Sequence, residues 1–245
     1  MEFGEHLTES LKFVTVFSFK LFGQEIPVTE TVVITWLVMA ILIIASLLLT
    51  RNLKQIPRGA QCILEGAVEF LNRFSRQHFG SRSHAYGPYV GTVFLFLLVA
   101  NFIPVLSPIG VFGREPPFTI KPPARDINFT AALALVSILL VLIGGIRARG
   151  FKGWGKHLLS PVPMVLPFNL LEYVIRPLSL CLRLFGNILG GFIIMMLVES
   201  AAPIIVPSFL SLYFDFLDGL IQALVFTFLT ILFISEAVEV EEVKS

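Results

Sequence analysis

The sequence predicts an all-α polytopic membrane protein: five transmembrane helices plus an amphipathic interfacial helix, with the last two long, tilted and forming a hairpin. Three observations carry this expectation. Hydrophobic residues make up 56% of the 245, charged residues only 14%, and mean hydropathy is +0.85, where an average soluble domain is about 25% charged. A soluble domain of this size could bury a core, but it would lack the charges for a surface. Uncharged apolar runs also reach the roughly 20 residues that a spanning helix needs. Lysine and arginine, finally, gather between alternate runs.

Residues 1–28 are expected as an external N-terminal segment; Glu2, Glu5 and Glu9 and the lack of a basic start argue against a cleaved signal or transit peptide. Residues 29–50 form the first span, around the uncharged run Thr31–Thr50. Residues 51–86 form a cytoplasmic amphipathic segment: Cys62, Ile63, Ala67, Val68, Phe70 and Leu71 make one face, and Glu65, Glu69 and Arg73 the other. The second span falls in residues 87–113, the external loop in 114–126, the third span in 127–147 and a cytoplasmic loop in 148–163. Residues 164–236 are the tilted helical hairpin and 237–245 an acidic tail; Pro203 and Pro207 suit the hairpin's outer turn. The basic loops, Arg51–Arg82 and Arg147–Lys156, set the orientation: N-terminus outside, C-terminus in the cytoplasm.

The hairpin carries the unusual chemistry. Glu172, Arg176, Ser179, Arg183, Gly186, Asn187, Gly190 and Gly191 recur at three- and four-residue spacing and share one stripe of an otherwise apolar helix. A charge at the bilayer centre costs about 2.5–3.5 kcal/mol on insertion scales. Glu172 and Arg176 can form a structural i,i+4 pair. Arg183 has no acid three or four residues away, so it must face a partner or a water-filled cavity. Its guanidinium stays charged, which suits a fixed positive charge rather than a proton carrier. Small residues such as Gly186, Gly190 and Gly191 let membrane helices approach closely. Met164–Glu199 as one helix would run roughly 54 Å at 1.5 Å per residue, well beyond a hydrocarbon core of about 30 Å, so a strong tilt is expected. In the return segment, Asp215, Asp218 and Gln222 recur at helical spacing and read as a polar pathway or as hydrated residues near the outer interface.

Other classes fit less well. A secondary transporter would carry internal repeats and helices interrupted in matching positions. A membrane enzyme would need a nucleophile motif or metal spacing, yet His6, His78, His84 and His157 fall outside the spans and form none. Cys62 and Cys181 match no metal or redox spacing. No metal or cofactor is expected, and the net charge of +1 gives no ground for a nucleic-acid partner.

Arg176-Pro177-Leu178-Ser179-Leu180-Cys181-Leu182-Arg183-Leu184-Phe185-Gly186-Asn187 closely resembles the signature of subunit a of F-type rotary ATP synthases. Asn101-Phe102-Ile103-Pro104, Asp126-Ile127-Asn128-Phe129-Thr130 and Ile221-Gln222-Ala223-Leu224-Val225-Phe226 resemble further motifs of that family, in the same order. The resemblance implies a non-catalytic stator channel subunit that carries protons or sodium ions through two offset half-channels to and from the carboxylates of a c-ring. Arg183 matches the essential arginine, which forces ion release and blocks a direct leak. Asn187 and Gln222 match polar residues near it, and Gly186, Gly190 and Gly191 face the ring. Glu172 lies one turn nearer the arginine than in some relatives. Phe192 stands where some have a glutamate and Asp215 where some have a histidine, so Asp215, with Asp218, is the expected replacement in the outer half-channel. The implied partners are the c-ring, subunit b of the peripheral stalk, the remaining synthase subunits and the lipid bilayer. The implied location is a bacterial inner membrane.

Overall fold

The computed structural model describes residues 15–21, 24–51, 53–54, 57, 59–103, 121–159, 163–201, 210 and 212–238. Much of the expected external N-terminal segment and external loop, the prolines of the hairpin turn and most of the acidic tail lie outside these residues. The order is β1 (Thr15–Leu21), β2 (Gln24–Thr29), α1 (Glu30–Thr50), α2 (Ala60–Phe79), α3 (Ser83–Phe102), α4 (Ile127–Leu158), α5 (Leu166–Ala201) and α6 (Gly219–Val238). A π-helical turn, Leu212–Asp218, leads into α6. Among the described residues five helices are long and apolar enough to cross a membrane: α1, α3, α4, α5 and α6.

The strands form an antiparallel hairpin with Lys20 and Glu25 paired at 3.1 Å. The sequence reading placed no element there. Alternation does run through Phe17, Ser18, Phe19 and Lys20, but it is too short to stand out beside the spans. Helix α1 buries only Thr31, Ile34 and Val38, the last two against Ala100 and Ile103 of the α3 end. Its other faces stay open, as a helix solvated by lipid requires.

Helix α2 is amphipathic and folds back along α3. Leu71 lies beside Gly91, Ser75 beside Gly87, and the Phe79 ring against Tyr86, an antiparallel register. Gly80, at φ +53°, ends α2 and donates its N–H to the Arg76 carbonyl. Arg73 and Glu69 pair at 2.6 Å on the solvent side. Val68 and Phe70 remain exposed, so only the C-terminal half of the apolar face packs on the bundle.

Helix α3 starts at Ser83, earlier than the expected 87, and runs to Phe102, with Ile103 still in helical geometry and donating its N–H to the Val99 carbonyl; the rest of the expected 87–113 span lies outside the described residues. The Asp126 carboxylate accepts the Asn128 N–H at 2.9 Å and caps α4. Gly150, at φ +71°, breaks α4, so Phe151–Leu158 turns away as a short arm within the expected 148–163 loop. The core lies among α3, α4, α5 and α6, around Leu97, Leu184, Ala223 and Phe226, and continues to Val90, Val141, Ile231 and Ile234. Helix α5 packs mainly on α4, and α6 on α3 and α4; α5 and α6 touch each other sparsely.

Candidate functional site

Helix α5 spans 36 residues, about 54 Å at 1.5 Å per residue, with Pro177 interrupting its hydrogen-bond ladder near the start of the signature. It buries Leu180, Cys181 and Leu184 in the core, and the Thr130 hydroxyl approaches Cys181 Sγ at 3.3 Å. Those three residues fix which side of α5 faces outward. Ser179, Arg183, Gly186 and Asn187 are all exposed. Among the described residues Arg183 makes no hydrogen bond or ion pair.

The neighbouring Arg176 contrasts with it. Its Nη2 reaches Glu172 at 2.6 Å and both carboxylate oxygens of Glu236 on α6 at 2.7 Å, and its guanidinium lies 4.8 Å from the Phe233 ring centroid. The i,i+4 pair read from the sequence is therefore present, but it has a third member. Glu236 and Phe233 could not be found by spacing along one helix, since they belong to another element.

One turn beyond Arg183, Asn187 Nδ2 donates to Gln222 Oε1 at 2.7 Å. Gln222 is only 1% exposed, and its Nε2 has no hydrogen-bond partner among the described residues. The exposed stripe of α5 and the buried polar line of α6 thus meet at one amide pair. The polar line continues through Thr227 and Thr230, both buried. A Cβ added at Gly186 or Gly190 would meet nothing within 4 Å, while Gly191 is half-buried.

Asp215 and Asp218 lie on the π-helical turn, with Asp218 half-buried; the Asp215 side chain is outside the description. This turn is held by α3. Asn101 Nδ2 donates to the Gly219 carbonyl at 3.1 Å, and Phe102 stacks on Phe216 with centroids 5.0 Å apart. A Cβ at Gly219 would lie 3.0 Å from Asn101 Cβ, so glycine is what allows the approach. π-Helical turns widen a helix locally and recur at functional sites. Their period differs from 3.6, so the sequence spacing alone could not reveal this one.

Phe192 has an unforeseen partner. Arg125, on a short turn before α4, is 3% exposed and lies 4.5 Å from the Phe192 ring centroid. Burial lowers its guanidinium pKa below the ordinary value, and the Glu30 carboxylate acts in the opposite direction. The sequence reading left Arg125 in an external loop, because nothing in the order of residues links it to position 192. No group of three or more metal-ligating side chains occurs among the described residues.

The model of the ATP synthase A chain family matches residues 32–235. The chain is 37% identical over 218 residues to the protein named ATP synthase subunit a, sodium ion specific, of Propionigenium modestum, covering 86% of this chain and 75% of that one. It is 39% identical over 216 residues to ATP synthase subunit a of Moorella thermoacetica, covering 87% and 92%.

Proposed function

This chain belongs to the ATP synthase A chain family, and from that premise we propose that it carries ions between two offset half-channels and the carboxylates of a rotating c-ring. The observation that carries the reading is the outward Arg183 on a membrane helix, unpaired among the described residues and followed by the open faces of Gly186 and Gly190. A cation in that position calls for a partner, and a bare glycine surface lets another helix come close.

The mechanism follows from charge. A ring carboxylate facing lipid stays neutral, because an unpaired charge there is costly. Opposite Arg183 the ionised form is favoured, and the bound proton or sodium ion leaves. The same guanidinium repels cations and prevents direct passage from one half-channel to the other. The potential contributes about 2.3 kcal/mol per charge per 100 mV, which biases the direction of rotation. Asn187 and Gln222 hold the polar junction beside Arg183. Asp215 and Asp218, on the turn leading into α6, serve the outer half-channel. Ser179, Arg176 and Glu172, toward the other end of α5, serve the inner one. The basic loops put the N-terminus outside and the C-terminus in the cytoplasm of a bacterial inner membrane. Subunit b of the peripheral stalk would hold the chain against rotation, and ATP chemistry belongs to other subunits.

The test is ion-driven ATP synthesis in vesicles carrying the whole complex, wild type against Arg183→Ala, with and without sodium. Synthesis should disappear while the complex still assembles. Near-normal synthesis in an assembled variant would refute the reading. Dependence on sodium would identify the coupling ion.

A further inference from the structure

Helices α5 and α6 meet sparsely, and two polar bridges join them: Asn187 to Gln222, and Arg176 to Glu236. Arg176 and Arg183 are two turns apart on one face, with Asn187 one turn further, so Arg183 lies between the bridges. We propose that Arg176 and Glu236 form an interhelical clasp that sets the rotation of α5 about its axis, making Arg176 a positioning residue for Arg183. The proposal rests on the reading of Arg183 given above.

The α6 side of the clasp is anchored. Arg149 donates to the Glu236 carbonyl at 3.4 Å, Arg82 donates to the Val238 carbonyl, and Ser235 Oγ donates to the His78 carbonyl at 3.0 Å. Three other elements thus hold the end of α6. The α5 side packs along α4 through Leu180, Cys181 and Leu184, the residues it buries among those described, and leaves its opposite face open. Packing on α4 fixes one side of α5, and two bridges to α6 resist rotation about that contact better than one amide pair would. The Arg176 side chain is 12% exposed and lies over Phe233, so the guanidinium end of the clasp is covered, while the Glu236 side chain is 61% exposed. Both Glu236 oxygens engage one guanidinium nitrogen, and the planar group lies 4.8 Å from the Phe233 ring centroid, a stacking that a lysine ammonium does not reproduce.

The clasp can be opened without stranding a charge. Glu236→Gln removes the interhelical ion pair, while Glu172 still neutralises Arg176 at 2.6 Å. The chain also carries its own reporter of rotation. Cys181 is 6% exposed, next to Leu180 and two residues before Arg183, so turning α5 brings its thiol out. Cys62 is already exposed and is replaced by serine so that only Cys181 reports.

The experiment measures maleimide labelling of Cys181 and ATP synthesis in the assembled complex, in the Cys62→Ser background, for Glu236→Gln, Glu236→Asp and Arg176→Lys. Glu236→Gln should speed labelling severalfold and cut synthesis by about 10- to 100-fold, the scale of a 1 Å misplacement. Glu236→Asp should keep both near the unmutated background. If Glu236→Gln does not assemble, Arg176→Lys, which keeps the charge but not the planar group over Phe233, carries the labelling comparison. Unchanged labelling would overturn the clasp, whether or not synthesis falls. Faster labelling with unimpaired synthesis would overturn its link to Arg183. Arg183→Ala, run in parallel, separates failure of the clasp from failure of the channel reading: if it retains synthesis, the channel reading fails, while labelling still judges the clasp.

Discussion

Helix α6 buries 44% of its most apolar stretch within the chain, and α5 buries only 17%. Both are membrane helices of similar apolar character, and both carry polar residues at helical spacing. On α6 those residues point inward: Gln222, Thr227 and Thr230 are 1%, 4% and 1% exposed. On α5 they point outward, with Ser179, Arg183, Gly186 and Asn187 all exposed. One helix is a wall fixed by its own chain, and the other keeps an open face. The proposed function needs this division of labour, since a wall must not shift and a contact surface must not be satisfied in advance.

The strongest way to break the comparison is to cut matching side chains from the two helices. Phe226 is fully buried, so Phe226→Ala should cost about 3–5 kcal/mol. Leu182 is 50% exposed, so Leu182→Ala should stay within about 0.5 kcal/mol for the isolated subunit. Thermal unfolding of the purified chain in detergent measures both. Equal losses at the two positions would mean that α5 packs on its own chain as closely as α6 does.

The contrast was half legible in the sequence. Apolar runs and charge placement announce a five-span membrane protein because lipid constrains every spanning residue. The α5 stripe is legible because polar residues on a membrane helix are rare enough to stand out. The inward line of α6 was less so, as threonine is unremarkable in a span. Partners from other elements were not legible: Glu236 against Arg176, Arg125 against Phe192 and Asn101 against Gly219 each join residues distant in sequence. Local spacing has no access to such pairs, and the π-helical turn alters the very period on which spacing relies.

A glycine pair sharpens the point with a smaller effect. Gly219→Ala places a Cβ 3.0 Å from Asn101 Cβ and should cost about 1–3 kcal/mol through overpacking. Gly186→Ala meets nothing within 4 Å in this chain and should leave the subunit's own stability within about 0.5 kcal/mol. Gly186→Leu should likewise spare the isolated subunit while reducing its recovery in the assembled complex, read as co-purification with the other subunits. Full recovery with a leucine at 186 would show that no partner comes close to that face.

A comparably small loss is expected at the seam itself. Asn187 and Gln222 are 2.7 Å apart, one residue exposed and the other buried. Interhelical hydrogen bonds in membranes average about 0.6 kcal/mol and reach about 1.7, so a double-mutant cycle of Asn187→Ala and Gln222→Ala should give coupling in that range. The two single variants should nevertheless differ. Gln222→Ala also removes a buried Nε2 without a partner among the described residues, which relieves a desolvation cost. Asn187→Ala instead strands Gln222 Oε1 in the core. The larger loss should therefore come from the exposed partner, the reverse of what burial alone predicts. If Gln222→Ala proves the more damaging, Gln222 is held by contacts beyond Asn187, and burial outweighs the amide pair at this point of the seam.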